Sequence, residues 1–219
     1  MTSMQSASPI VDNAPIVYIV DDDAPLCQSL GSLLRSIGLQ VHLFGSVAQF
    51  MNHPRPDQPS CLVLDVRLQG TSGLDCQREL AAANVRLPIV FMTGHGDIAM
   101  TVRAMKAGAV DFLAKPLREQ DLIDAVTAAH HQDRQRRDAE RGHRQVFDRY
   151  ATLTPREQQV MALAVSGLMN KQIAGELGLS EITVKIHRGQ AMRKMCAHSF
   201  ADLVRMAQVL EWRSADTGR

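Results

Sequence analysis

The chain has 219 residues, 45% of them hydrophobic, and a formal net charge of +1 at neutral pH, a size and composition that suit two modest domains with packed cores. The near-neutral sum hides an asymmetry: residues 1–129 hold 9 Lys and Arg against 13 Asp and Glu, residues 130–149 hold 6 against 4, and residues 150–219 hold 9 against 6. An acidic front suits cation or phosphate chemistry and a basic back suits a polyanion. No basic and apolar leader is visible, no apolar run reaches the roughly 18 residues of a membrane span, and Cys27, Cys61, Cys76 and Cys196 form no CxxC pair. A soluble, cytoplasmic protein with reduced thiols and no membrane partner is expected.

Residues 1–15 mix Ser, Pro, Asn and Asp and read as a flexible tail. Strand-like and helix-like segments then alternate five times. The patterning predicts strands near 16–20, 39–44, 60–65, 88–93 and 110–114, and helices near 24–37, 46–52, 72–83, 97–107 and from 118 onward. Such alternation implies an α/β domain over 16–128, a five-stranded doubly wound parallel sheet covered on both faces. Gly38 and Gly108 stand where helices would end in the left-handed conformation, Asp97 stands where one would start, and the prolines of 53–59 mark a loop.

Four of the apolar runs end on residues that handle phosphate or a divalent cation. Ile16–Val20 leads into Asp21, Asp22 and Asp23; Cys61–Leu64 into Asp65; Ile89–Met92 into Thr93; and Val110–Ala114 into Lys115-Pro116. Buried parallel strands read as near-continuous apolar runs, and open parallel sheets bind ligands outside their carboxyl ends. One edge therefore gathers carboxylates, a hydroxyl and an ammonium. Asp21 and Asp22 suit Mg²⁺, Asp65 a carboxylate nucleophile for a phosphoryl group, and Thr93 and Lys115 the phosphoryl oxygens. Pro116 permits a cis peptide that aims the lysine. Taken singly, each of these residues is ordinary: Asp23 in particular reads as a helix cap. It is their joint occurrence that points to a site.

From Thr127 to Gln145 there is no Leu, Ile, Val, Met or Phe, so the segment cannot bury itself and is either a solvated extension of the fifth helix or a flexible linker. Residues 129–149 are read as a charged linker, helical in preference to a flexible tether, with Gly142 as a break and the domain boundary within it. Residues 150–212 read as a small all-α domain followed by a tail, 213–219. Thr154-Pro155-Arg156-Glu157 forms a capping box with proline at the first helical position, opening a helix to about Ser166. Asn170 is read as the cap of a short helix ending at Leu177, Gly178 follows, Ser180 caps a helix over Glu181–Met195, and a last helix spans Phe200–Leu210. Short helix, tight turn and longer helix make a helix-turn-helix. On the longer helix Val184, Arg188, Ala191 and Met195 share one side, mostly apolar and read as inward. Lys185, Ile186 and Gly189 share another that can meet base edges, while Lys171, Thr183, Arg193 and Lys194 can meet phosphates. A helical bundle with an ordinary basic face is the plainer reading, and the caps and helix lengths favour DNA binding over it.

Val-Asp-Asp-Asp at 20–23, Leu-Asp-Val-Arg at 64–67, Met-Thr-Gly-His-Gly-Asp at 92–97 and the run Met105–Pro116 resemble the receiver domain of bacterial two-component response regulators, with its flavodoxin-like fold, over about residues 14–128. The resemblance implies that Asp65 takes phosphate from a sensor histidine kinase. It also implies that Asp21, Asp22, Asp65 and the backbone carbonyl of Arg67 hold Mg²⁺, and that Thr93 and Phe112 move on switching. Gln69 departs from the proline common in the loop after the nucleophile. Residues 153–161, 170–174 and 180–188 resemble the LuxR-type DNA-binding domain, and the pair of domains resembles the FixJ branch. That resemblance makes Lys185, Ile186 and Arg188 specificity residues and Gly189 a departure from a DNA-facing side chain. Together they imply a non-enzymatic, phosphorylation-controlled regulator that dimerises through the Asp97–Ala107 helix and the following strand, binds promoter DNA and, as an activator, meets RNA polymerase. Two other readings are a Mg-dependent aspartyl-phosphate phosphohydrolase, disfavoured because its nucleophile would follow the first strand, and a constitutive DNA-binding protein with the receiver as scaffold.

Overall fold

The structure, a computed structural model, describes residues 14–68, 71–94 and 98–216. Gln69, the expected cap Asp97 and most of the two expected tails lie outside the described residues. The chain divides into two units, Met1–Arg137 and Asp138–Arg219.

The first unit is built from β1 (Ile16–Val20), α1 (Ala24–Ser36), β2 (Gln40–Phe44), α2 (Val47–Met51), β3 (Ser60–Asp65), the two-residue strands β4 (Arg67–Leu68) and β5 (Thr71–Ser72), α3 (Gly73–Ala82), β6 (Ile89–Thr93), α4 (Ile98–Lys106), β7 (Asp111–Ala114) and the start of α5 (Glu119–Ala151). Five strands form a sheet in the order β2-β1-β3-β6-β7, every neighbouring pair parallel. The central strands β1, β3 and β6 are buried at every position, which is why they are apolar almost without interruption.

Side chains alternate across the sheet. Ile16, Tyr18, Val20, Leu62, Leu64 and Phe91 share one core with Phe50, Leu80 and Ala104 of α2, α3 and α4. Val17, Ile19, Val63, Val90 and Met92 share the other with Leu30 and Leu34 of α1 and Leu122 and Val126 of α5. Each helix end has a local cause. The Asp23 carboxylate accepts from the Leu26 N–H at 3.0 Å, the Ser46 and Ser72 hydroxyls cap α2 and α3, and Gly38 and Gly108 take φ of +88° and +89° where α1 and α4 end.

Several expectations are corrected. The antiparallel pair β4–β5 was not foreseen: two residues per strand carry no periodic signal. The expected linker 129–149 lies wholly within α5, which passes through Gly142 without a break. One glycine in a helix interior costs about 1 kcal/mol, too little to interrupt flanking turns rich in Arg, Gln, Glu and Ala. The start of that stretch is also not a solvated face: His130 and Asp133 are 7% and 0% exposed, buried by polar partners rather than by apolar packing.

The second unit contains the end of α5 and α6 (Pro155–Val165), α7 (Asn170–Leu177), α8 (Glu181–Lys194) and α9 (Phe200–Asp216). The capping box is present: the Glu157 N–H donates to Thr154 Oγ1 at 3.3 Å and the Thr154 N–H to Glu157 Oε2 at 2.7 Å. Asn170 is the first residue of α7 rather than its cap. Met169 holds the cap position and its N–H donates to Gln172 Oε1 at 2.8 Å, which leaves the Asn170 side chain for another task. Gly178 is left-handed, φ +65°. Helix α9 outruns the expected Leu210 to Asp216, no Gly or Pro occurring before Gly218. Val184, Ala191 and Met195 of α8 are fully buried. Among the described residues no helix is long and apolar enough to cross a membrane.

Candidate functional site

Parallel strands that start together also end together. Because β1 and β3 are in register from Ile16↔Ser60 to Val20↔Leu64, Asp21 and Asp65 emerge side by side. The carboxylates of Asp21, Asp22 and Asp65 each offer an oxygen, all within 4.8 Å of one another. Asp21 and Asp65 are 1% and 5% exposed, while Asp22 is exposed, so the cluster has two buried walls and an open side. Lys115, carried by the turn after β7, places Nζ 2.6 Å from Asp21 Oδ2 and 3.2 Å from Asp65 Oδ1. The Lys115-Pro116 bond is cis. Thr93 closes β6, 1% exposed, and its carbonyl accepts the Lys115 N–H at 2.7 Å. The Asp23 N–H donates to Asp21 Oδ1 at 2.9 Å, fixing that carboxylate from the other side.

Three carboxylates face one ammonium, and the imbalance shows in the proton affinities. Burial pushes the Asp65 carboxyl above its ordinary value; Lys115 opposes this and Asp21 adds to it. Burial pulls on Lys115 the other way, but its hydrogen bond and attraction to Asp21, with Asp65 behind, hold its ammonium above the ordinary lysine value. A site of hard oxygen donors with surplus negative charge and an open side fits a small divalent cation such as Mg²⁺.

Of the other receiver residues singled out by sequence, Arg67 lies on β4, exposed, where its backbone N–H works against burial in setting the Asp65 proton affinity. Phe112 is half-buried on β7, its ring centroid 6.2 Å from that of Phe91, in the core that α4 covers. Sequence reasoning missed Gly73. Its N–H donates to the Val66 carbonyl at 2.9 Å, and a Cβ there would stand 2.5 Å from the Asp65 carbonyl oxygen. The start of α3 is thus pressed against the backbone that carries Asp65, at a spacing only glycine allows. The available signal was a glycine directly after the Ser72 cap.

A second polar cluster sits at the opposite ends of the same strands. Asp133 accepts from the Ser60 N–H at 3.0 Å, from Arg136 at 2.6 Å and from Arg137 at 2.6 Å, and Arg137 also pairs with Asp57. The His130 imidazole donates from Nε2 to the Ile16 carbonyl at 3.0 Å, with Cys61 Sγ 3.5 Å away. Burial holds this imidazole below its ordinary pKa.

In the second unit the expected DNA-facing residues divide. Lys171, Lys185 and Arg193 are exposed, and Ile186 is 56% exposed. A Cβ at Gly189 would meet nothing within 4 Å. Thr183 is half-buried, its hydroxyl 2.8 Å from that of Ser180. Lys194 is engaged internally, 2.7 Å from the buried Glu157 and donating to the Thr152 carbonyl at 3.3 Å. Its ammonium holds Glu157 below the ordinary glutamate range. Arg188 is also engaged internally, with Nη1 3.1 Å from Asn170 Oδ1 and Cζ 4.5 Å from the centroid of the Phe200 ring.

Residues 17–127 match the family described as response regulator receiver domain, and residues 151–207 the family of bacterial regulatory proteins, luxR family. The chain is 58% identical to nodulation protein W of Bradyrhizobium diazoefficiens over 89% of its own length and 86% of the relative's. It is 46% identical to response regulator protein TodT of Pseudomonas putida over 91% and 88%. Among solved structures it is similar to the response regulator StyR, at 49% identity and a TM-score of 0.80 over 89% of this chain and 98% of that one. It is also similar to full-length FixJ from B. japonicum, at 39% identity and 0.54 over 89% and 96%. An acidic pocket at the carboxyl edge of a five-stranded parallel sheet, joined in one chain to a capped helix-turn-helix, agrees with both matches: the chain belongs to the two-component response regulators that couple a receiver domain to a LuxR-type DNA-binding domain.

Proposed function

We propose that Asp65 is the phosphoacceptor and that its phosphorylation by a sensor histidine kinase controls promoter binding by α8. The observation that carries this is the convergence of Asp21, Asp22, Asp65 and Lys115 within one pocket. Asp65 supplies the electron pair that forms the new P–O bond as the donor's P–N bond breaks. Lys115 moves from its carboxylate partners to a phosphoryl oxygen, and the Thr93 hydroxyl donates to another. Asp21, Asp22, Asp65 and the Arg67 carbonyl would hold Mg²⁺, which when bound offsets the charge of the phosphoryl oxygens.

Phosphorylation draws Thr93 and Lys115 inward, and Phe112, on the strand between them and α4, repacks. Helix α4 exposes Ile98 by 81%, Val102 by 45% and Met105 by 43%, spaced on one stripe, and a second copy of this chain covers that stripe in the phosphorylated dimer. The dimer reads two half-sites and activates transcription with RNA polymerase. The chain is a regulator, not a turnover enzyme, and acts in the cytoplasm.

The test is acetyl phosphate with Mg²⁺. The wild type gains one phosphoryl group, sediments as a dimer and footprints its own upstream DNA. Asp65→Asn gains none and stays monomeric. Equal dimerisation and DNA binding by Asp65→Asn would overturn the reading, as would steady turnover of a small phosphate ester in favour of a hydrolase.

A further inference from the structure

Arg188 lies near the middle of α8, the helix proposed to meet DNA, and the family resemblance makes it a base contact although its helical position shares the inward side. Its guanidinium is turned elsewhere. Nη1 is hydrogen-bonded to Asn170 Oδ1 at 3.1 Å, and the cation lies 4.5 Å over the face of Phe200. Asn170 is the first residue of α7 and Phe200 the first of α9, so one side chain ties the starts of two helices to the centre of a third. The ring is 37% exposed, and a flat, delocalised, weakly hydrated guanidinium suits such a stack where an ammonium does not. The corrected capping of α7 fits this: because Met169 and Gln172 close the helix start, the Asn170 amide is not consumed as a cap. Lys185 and Ile186, by contrast, point away from any such engagement and are exposed.

We infer that Arg188 is a positioning residue, which with Asn170 and Phe200 forms a three-helix clamp that sets the angle at which α8 presents Lys185 and Ile186. It reads neither base nor phosphate. The inference rests on the reading that α8 enters the groove and says which of its side chains do the reading. Three roles are open to an arginine here, and each fails differently once the side chain is removed. A base reader, once removed, relaxes discrimination at one base pair. A phosphate contact, once removed, lowers the slope of log affinity against log salt by about 1. A clamp, once opened, misplaces every contact together.

The experiment uses the full chain, phosphorylated with acetyl phosphate, and a duplex selected from a random pool by the wild type, together with its single-base-pair variants. If the wild type selects no sequence, the DNA-binding reading itself fails, and with it the inference. If it does, Arg188→Met should weaken every duplex by the same factor, about tenfold for the loss of one stack and one hydrogen bond, with base preferences and salt slope unchanged. Arg188→Lys should lose nearly as much although it keeps the charge. Phe200→Leu should lose part of it and add little in the Arg188→Met background. Circular dichroism and thermal melting report folding, and should Arg188→Met not fold, Arg188→Lys and Phe200→Leu carry the test. Relaxed preference at one base pair, a salt slope reduced by about 1, or wild-type affinity in Arg188→Lys or Phe200→Leu would each overturn the clamp.

Discussion

At the carboxyl ends of β1 and β3, Asp21 and Asp65 share the ammonium of Lys115, with the carboxylate of Asp22 beside them. At the amino ends of the same strands, Asp133 and Asp57 meet the guanidiniums of Arg136 and Arg137. Both ends bury carboxylates, but only one balances them. At the amino edge each charge has an opposite within the protein, and Asp133 spends its remaining capacity on the Ser60 N–H. At the carboxyl edge the carboxylates outnumber the ammonium, an arrangement that fits a divalent cation. Surplus charge in a buried place costs stability and is the signature of a ligand site, whereas balanced charge is the signature of a structural joint. The comparison therefore separates the two clusters by function before any family is considered.

The sharpest way to break it is at the balanced end. Asp133→Ala takes from the Ser60 N–H its buried acceptor and from Arg136 and Arg137 their shared carboxylate, Arg137 keeping Asp57, and removing one partner of a buried ion pair costs about 3–5 kcal/mol. Urea denaturation should show a loss of that size, while acetyl phosphate still phosphorylates the folded fraction at the wild-type rate. A slowed rate with unchanged stability would mean that the amino edge belongs to the functional site after all.

The next effect is at the carboxyl edge. Gly73→Ala places a methyl 2.5 Å from the Asp65 carbonyl oxygen and 3.1 Å from the Val66 Cα, both backbone atoms that cannot swing aside. A cost of about 1–3 kcal/mol is expected from overpacking, together with slower phosphorylation as the Asp65 backbone shifts. Gly189→Ala is the control: its Cβ meets open space, and replacing a helix-interior glycine should stabilise by about 1 kcal/mol. Equal urea midpoints for the two variants would remove Gly73 from the account of the site.

How much of this was legible in the sequence follows from what periodicity can see. The four strands that run into Asp21, Asp65, Thr93 and Lys115 were readable because a buried parallel strand is an apolar run with a hard stop, and their ends agree with the structure to within a residue or two. The amino edge was invisible. His130 and Asp133 are polar residues on a helix, 69 residues from Cys61 and 73 from Ser60, and a pattern of apolar positions treats them as solvated. Their burial depends on partners that only the folded chain supplies. Arg188 was legible as sharing the side of α8 that holds Val184 and Ala191, yet the family resemblance placed it among the base contacts. The stack on Phe200 agrees with the inward helical face. Gly73 and Asn170 were obscured by position: a glycine beginning a helix and an asparagine near a helix start each have a commoner explanation.

Proton uptake moves the two edges least, and in opposite directions. Burial depresses the His130 pKa below the ordinary imidazole value of 6.5, so the unfolded chain takes up a proton first as pH falls. The stability contributed by neutral His130 is complete above that value and is lost as pH drops through it. Asp65 behaves in reverse. Burial raises its pKa above the ordinary 3.8, so the native state keeps a proton that the unfolded chain has released, and stability is regained as pH falls through the raised value. Urea midpoints of the wild type should therefore decline from pH 7.5 to pH 5.5, and the decline should be shallower in His130→Gln. Asp65→Asn should differ from the wild type by a gain in stability at neutral pH, where the ionised carboxylate no longer crowds Asp21, and that gain should shrink as pH falls. A His130→Gln slope equal to the wild type's would show that folding leaves the proton affinity of the imidazole unchanged, and would remove His130 from the account of the amino edge.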